Sequence, residues 1–261
     1  MLLLIAGHPR SGTTMLQRLC AGHPQIGLTN EFGILNGLGL SRLAYSRLAL
    51  QNWQKVRHRW AFHPADAPLP QHYEWRNLRF VLGHVAAVWR YGRSPVTLPV
   101  ITKAYLHAFP GKTIVGDKLP HYIFTMEKLV PYDDLKRVVI YRDCRDVTSS
   151  FLKQARTTWA KMPWVHYVDT AEKIATRWVR TINLMHTHQS QLFIMRYETL
   201  AAQPDQELNR LAAYLDVDTA GFDAGLVSDR SIGNYRQGLT AVELADVMRV
   251  AGETMARLGY T

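Results

Sequence analysis

The spacing of apolar residues changes repeatedly along the chain, and each change predicts an element. "LLLIA" (Leu2 to Ala6) is short, continuously apolar and followed by turn residues, the pattern of a strand buried on both faces. "GTTMLQRLCAGHP" then moves to helical spacing: Met15, Leu16, Leu19 and Cys20 share one face, and Gly22 and Pro24 end the helix. Further on, "TIVGDK" reads as a strand, "FTMEKLV" as a helix and "RVVIY" as a strand. A helix from Val147, a long helix around Asp169 to Gln189, the strand "LFIMRY" and the helix "DQELNRLAAYL" follow. Strands alternating with helices predict an α/β fold with a central, mostly parallel sheet, whose ligands sit at the carboxyl ends of the strands. Residues 32–111 break this rhythm. They carry Trp53, Trp60, Trp75 and Trp89 among arginines and histidines, with helical spacing in pieces and a proline-rich break at "HPADAPLPQ". A helical insertion over the sheet is expected there.

Composition bounds the class. With 261 residues, 47% hydrophobic and 20% charged, the chain is long enough to bury one sizeable core, so residues 1–261 are read as a single domain. No run approaches the roughly 18 apolar residues of a spanning helix. The apolar start is too short for a signal peptide and lacks a basic leader. A soluble, cytoplasmic chain is expected. Cys20, inside the first helix, and Cys144, in a basic loop, give neither a disulfide framework nor a metal-ligand spacing. A net charge of +10 favours an anionic partner: nucleic acid, a membrane surface or a highly charged nucleotide.

The loop after the first strand, "GHPRSGTT", narrows this choice. It follows the phosphate-loop pattern G-x-x-x-x-G-K-[ST] at Gly7 and Gly12, but Thr13 stands where lysine is expected and Thr14 follows. Tight glycine turns present successive backbone N–H groups and the next helix adds the positive end of its dipole, so the loop fits a phosphate or sulfate without the lysine. Arg10 supplies a cation from inside the loop, Ser11 and Gly12 shape it, and Thr13 and Thr14 supply hydroxyls. A second cluster, "VVIYRDCRDVTSSF", places Arg142 at a strand end, with Arg145 nearby and Ser149 and Ser150 in the first turns of a helix. It reads either as a second anion site or as a solvated loop whose Asp143 and Asp146 cap the helix.

Together the two clusters resemble the sulfotransferases that use 3′-phosphoadenosine 5′-phosphosulfate (PAPS) as donor, closest in pattern to the tyrosylprotein and carbohydrate-type branch. In that family a turn of the form P-[RK]-[ST]-G-[TS]-T holds the 5′-phosphosulfate, as "PRSGTT" would here. A strand followed by R-[DN]-P-[RK]-D-V and serine holds the 3′-phosphate; "RDCRDVTSS" resembles it, with Cys144 replacing the proline. The resemblance extends to "AGHPQIGLTNEFG", "VGDKLPHY", "MRYETLAAQPDQELNRLAAYL" and "RSIGNYRQGLT", the last being a loop that closes over the nucleotide, with Tyr235 replacing a tryptophan. It implies a three-layer P-loop-like fold and makes residues 32–111 an acceptor-binding lid. It assigns Arg10, Ser11, Gly12, Thr13, Thr14, Arg142, Ser150 and Tyr235 to the donor, and Glu31, Lys118 and Arg10 to catalysis. No metal is required, and the partner is a small-molecule, carbohydrate or peptide acceptor rather than nucleic acid.

The chemistry then has two demands. The acceptor hydroxyl or amine must lose a proton as it attacks sulfur in line with the leaving nucleotide, and the leaving phosphate gains charge that fixed donors can stabilise. Glu31 is the candidate base, with Lys118, Arg10 and the loop N–H groups as charge stabilisers. His8 and His121 are alternative bases, since imidazole titrates near neutral pH. Two other classes compete. A P-loop small-molecule kinase would want a magnesium-binding carboxylate where "RVVIY" runs into Arg142. A basic nucleic-acid-binding protein would use the tryptophans of the insertion as stacking surfaces.

Overall fold

Strand β1 (Leu2–Gly7) is buried along its whole length and lies at the centre of the sheet. The computed structural model describes residues 1–56 and 72–260; the "HPADAPLPQ" break and Trp60 lie outside them. With β2 (Ile26–Asn30), β3 (Ile114–Lys118), β4 (Leu135–Tyr141) and β5 (Phe193–Arg196) it forms a five-stranded sheet in the order β2-β3-β1-β4-β5. Every pairing is parallel. All five carboxyl ends therefore open on one edge.

Alternation along β1 divides the core into two helical layers. Leu3 and Ile5 pack with Leu16 and Leu19 of α1 (Thr13–Gly22) and with Leu208 and Leu211 of the helix at Pro204–Leu215. Leu2, Leu4 and Ala6 face the opposite layer. That layer holds α2 (Arg42–Val56), α3 (Tyr73–Tyr91), α4 (Leu98–Ala108), α5 (Cys144–Arg156) and α6 (Ala171–Thr187). The remaining helices are α7 (Tyr197–Ala202), α8 (Pro204–Leu215), α9 (Tyr235–Gly238) and α10 (Ala241–Arg257). The result is the three-layer α/β fold that the sequence pattern predicts. The described helices of the insertion are part of the second layer, with Ile101, Ala104 and Tyr105 fully buried.

Two local readings are corrected. The helix expected through "FTMEKLV" is a 3-10 stretch, Pro120–Lys128. Pro120, Ile123 and Met126, three residues apart, are all buried, and a three-residue turn keeps them on one side. The helix expected from Val147 begins at Cys144, because the Asp143 carboxylate accepts the Arg145 N–H (2.8 Å) and caps it. Cys144 is thus the first helical residue rather than a loop residue. A proline is favoured at that position because its missing N–H is not needed, so cysteine loses no hydrogen bond there.

Candidate functional site

The loop from β1 into α1 turns through left-handed backbone at Arg10 (φ 73°) and Gly12 (φ 93°). A Cβ on Gly12 would come within 2.5 Å of the Tyr197 ring, so this position is closed to side chains for two reasons. No side chain caps α1 and no acid stands in its first turn, which leaves its N-terminal dipole available to an anion. Ser11 Oγ is buried there without a partner.

Glu31 follows β2 and is also left-handed (φ 62°). Left-handed backbone in a non-glycine residue persists only where the surroundings over-determine it. Here the agent is Asp117 of β3, fully buried, which sequence reasoning passed over. Its carboxylate accepts from Thr29 Oγ1 (2.5 Å), Tyr122 OH (2.6 Å) and the N–H groups of Phe32 (3.1 Å) and Gly33 (2.7 Å). The backbone immediately after Glu31 is thereby pinned, while the Glu31 N–H donates to the Lys118 carbonyl (2.6 Å). Burial pushes the Asp117 pKa up, against the pull of these four hydrogen bonds. Lys118, itself buried, places Nζ 2.9 Å from Glu31 Oε1 and 3.4 Å from Thr14 Oγ1. One cation thus links the candidate base to the phosphate loop.

The second cluster lies beside the first. Arg10 Nε donates to Ser150 Oγ (2.9 Å), which joins the loop after β1 to α5. Arg142 is buried over the Tyr197 ring (4.5 Å), donates to the Ser231 carbonyl and meets Asp146 at 3.1 Å. Its Nε is buried without a partner. Burial first, and the nearby Arg142 second, push the Arg10 pKa down; an anion between the two guanidiniums would offset both. Asp146 does not cap the helix. It reaches the late loop instead, accepting the N–H groups of Gly233 (2.8 Å) and Tyr235 (3.0 Å).

Two cavities meet at Arg10. One, of about 590 Å³, is lined by Arg10, Thr13, Thr14, Glu31, Lys118 and His121, and walled by Phe151, Trp159, Trp164, Tyr167 and Arg177. The other, of about 690 Å³, is lined by Arg10, Arg142, Ser149, Ser150, Lys153 and late-loop residues including Asn234 and Gly238. Ser11, Gly12 and Tyr235 are not among the residues lining either. The Tyr235 ring instead stacks under Arg145 (4.5 Å). Among the described residues, none between 32 and 111 lines the first cavity; of its aromatic wall, Phe151 comes from α5 and Trp159, Trp164 and Tyr167 from the connection between α5 and α6. The irregular aromatics of "TTWAKMPWVHY" were the sequence signal for that wall.

Both alternative bases are constrained. His8 is buried with its Nδ1 on the Pro9 carbonyl (2.7 Å), and burial drives its pKa down to about 3. His121 lines the cavity, but Arg177 Nη2 donates to its Nε2 (2.5 Å), and burial followed by Arg177 pushes its pKa down. The described residues hold no group of three or more His, Cys, Asp or Glu side chains arranged for a metal, and no helix long and apolar enough to cross a membrane.

The model of a family described as "Sulfotransferase family" matches residues 3–221. Nodulation protein NoeE of Sinorhizobium fredii (strain NBRC 101917 / NGR234) is 25% identical over 309 aligned residues, covering 100% of this chain. The chain spans 66% of that protein's length. Among solved structures, the sulfotransferase domain from the curacin biosynthetic pathway superposes with a TM-score of 0.58 at 15% identity, covering 100% of this chain and 98% of that one. Sulfotransferase STF9 from Mycobacterium avium gives 0.52 at 14% identity, covering 99% and 77%. At such identities these two show a common fold.

Proposed function

Because the chain belongs to the sulfotransferase family, whose members carry out sulfuryl transfer, we propose that it moves a sulfuryl group from PAPS to an acceptor hydroxyl or amine, with Glu31 as the base. The observation that carries this reading is the pair of cavities joined at Arg10: a cationic, serine-lined one and one containing the Glu31–Lys118 pair. The residues present fit the donor. Arg142 Nε and Ser11 Oγ, buried and without partners, stand in the two regions expected to hold phosphate groups. Arg142, Ser149, Ser150 and Lys153 would hold the 3′-phosphate, and the β1 loop with Arg10, Thr13 and Thr14 the phosphosulfate. When bound, the donor supplies the activated sulfuryl group.

The chain's own groups account for the rest. Glu31 takes the acceptor proton at Oε1 or Oε2, and Lys118, already on that carboxylate and near Thr14, is placed to stabilise charge on the leaving phosphate. The aromatic wall excludes water from the reacting region. The acceptor enters the cavity that this wall shares with Glu31. Transfer of labelled sulfate from PAPS across a panel of acceptor classes tests the reaction. Calorimetry without magnesium tests the donor: adenosine 3′,5′-bisphosphate should bind more tightly than AMP, and equal affinities would refute a 3′-phosphate site.

A further inference from the structure

Helix α6 carries two arginines, Arg177 and Arg180, three residues apart. Both guanidiniums lie over the single ring of Phe124, at 5.1 and 5.2 Å from its centroid. Among the described residues no carboxylate is paired with either. Glu172, on the same helix, is engaged by Arg249 (3.3 Å), and Asp169 by Lys173 (2.7 Å). Arg177 spends its one side-chain hydrogen bond on the neutral nitrogen of His121, and its Nε is buried without a partner. Two like charges held side by side, one of them half-buried, are unfavourable until an anion arrives between them. Charge-assisted hydrogen bonds from guanidiniums to an oxyanion are roughly twice as strong as neutral ones and match its geometry.

The position of the pair decides which anion. Arg177 and Tyr167 line the Glu31 cavity and also an adjoining one of about 510 Å³, lined besides by Phe124, Lys173, Thr176, Arg180 and the Glu172 carboxylate that Arg249 engages. The two cavities are therefore neighbours across the side chains of Tyr167 and Arg177. In the aromatic wall of the Glu31 cavity Trp159 packs edge-on against Phe151 (5.2 Å) and tilted against Trp164 (5.3 Å). The arginine pair lines none of the cavity assigned to the nucleotide.

We propose that Arg177 and Arg180 form a subsite for an anionic group on the acceptor. The acceptor is then an acid, carrying a carboxylate or a phosphate or sulfate ester, with its ring or chain against the aromatic wall and its sulfated hydroxyl or amine at Glu31. This rests on the reading of the Glu31 cavity as the acceptor site. His121 serves the subsite as a prop: because arginine only donates, its Nε2 is the acceptor and the ring proton resides on Nδ1.

Calorimetry on the full chain saturated with adenosine 3′,5′-bisphosphate tests the subsite with matched acid and neutral probes: phenyl β-glucuronide against phenyl β-glucoside, 4-hydroxybenzoate against 4-hydroxybenzamide, and glucose 6-phosphate against glucose. At least one acid should bind about tenfold or more tightly than its neutral partner, and the responding pair identifies the source of the anion. Arg177→Ala should abolish that preference and Arg177→Lys keep part of it. Arg180→Gln, on an exposed side chain outside the core, should lower it several-fold, which guards against misfolding of the Arg177 variants. Acids binding no better than their neutral partners, no acid binding below about 1 mM, or a preference that survives both Arg177→Ala and Arg180→Gln would overturn the proposal. Failure of the bisphosphate to bind would overturn the donor reading, and the subsite with it.

Discussion

Replacing Asp117 by asparagine tests whether the turn at Glu31 is held for catalysis. The carboxylate receives four donors, from Thr29, Tyr122, Phe32 and Gly33. Asparagine can accept at one oxygen, but its amide would face the other donors, and the Gly33 N–H cannot reverse direction as a hydroxyl can. Four lost bonds at 1.5–3 kcal/mol each would be a gross overestimate. Burial of the charge, which pushes the Asp117 pKa up, already offsets part of that energy in the wild type. A net loss of about 2 kcal/mol is the reasonable magnitude, corresponding to a fall in Tm of about 4–8 °C for a chain of this size. The same 2 kcal/mol is what holds Glu31 in left-handed backbone, whose cost for a non-glycine residue is about 1–2 kcal/mol. Released, the turn relaxes and kcat falls by about 10- to 50-fold. Asp117 touches neither cavity, so affinity for adenosine 3′,5′-bisphosphate should stay within about twofold. Scanning calorimetry, titration of the bisphosphate and steady-state transfer from labelled PAPS, all below the variant's Tm, measure the three quantities. A lowered Tm with kcat unchanged would reduce Asp117 to a structural residue. Parallel losses of kcat and bisphosphate affinity would mean that the whole site had collapsed, and the reasoning about the turn would be wrong.

Three further outcomes are expected. Glu31→Gln keeps shape and hydrogen bonding but cannot take a proton, so turnover should fall by roughly 10² to 10⁴ with bisphosphate affinity nearly unchanged; near-normal turnover would remove Glu31 as base. Arg142→Ala should weaken adenosine 3′,5′-bisphosphate by about 1.5–3 kcal/mol and leave AMP almost unaffected, and a uniform loss for both nucleotides in calorimetry would contradict the assignment. Acid should destabilise the fold through His8 and His84, both buried and driven down by burial to about 3. A histidine with a lowered folded pKa is neutral in the native state, so its contribution is whole above about 6.5 and is lost as pH falls from 6.5 towards 3. At pH 5 each histidine costs about 2 kcal/mol relative to pH 8, so denaturant unfolding at the two pH values should differ clearly between wild type and His84→Gln.

The strand–loop–helix at residues 2–22 was legible because one uninterrupted segment builds it: an apolar run, spaced glycines and a helix. Glu31 and Lys118 were found through resemblance, and their position at adjacent strand ends follows from an all-parallel sheet. Asp117 was not legible, since three of its partners, Thr29, Phe32 and Gly33, lie more than eighty residues away and only the β2–β3 register brings them to it. The two aspartates of "RDCRDV" differ for a similar reason. Asp143 caps its own helix, a local act that spacing can predict, whereas Asp146 binds backbone 87 and 89 residues further on. The 3-10 stretch Pro120–Lys128 was read only as a helix through "FTMEKLV", because apolar residues three apart satisfy either helical spacing until burial is seen. Arg177 carried no signal in the sequence, as its meaning depends on the carboxylates that are not beside it.

Arg10 lines both cavities, and its Nε is committed to Ser150 on the nucleotide side. On the proposed assignment of the cavities, donor and acceptor binding are coupled: a phosphate that draws this guanidinium away from Ser150 also redraws the rim of the acceptor cavity. Thermodynamic linkage makes that influence mutual, so whatever factor the donor product changes acceptor affinity by, the acceptor must change donor-product affinity by the same factor. On the proposed reading the coupling between the two sites runs through one side chain, and Arg10→Ala would uncouple them as well as slow the reaction.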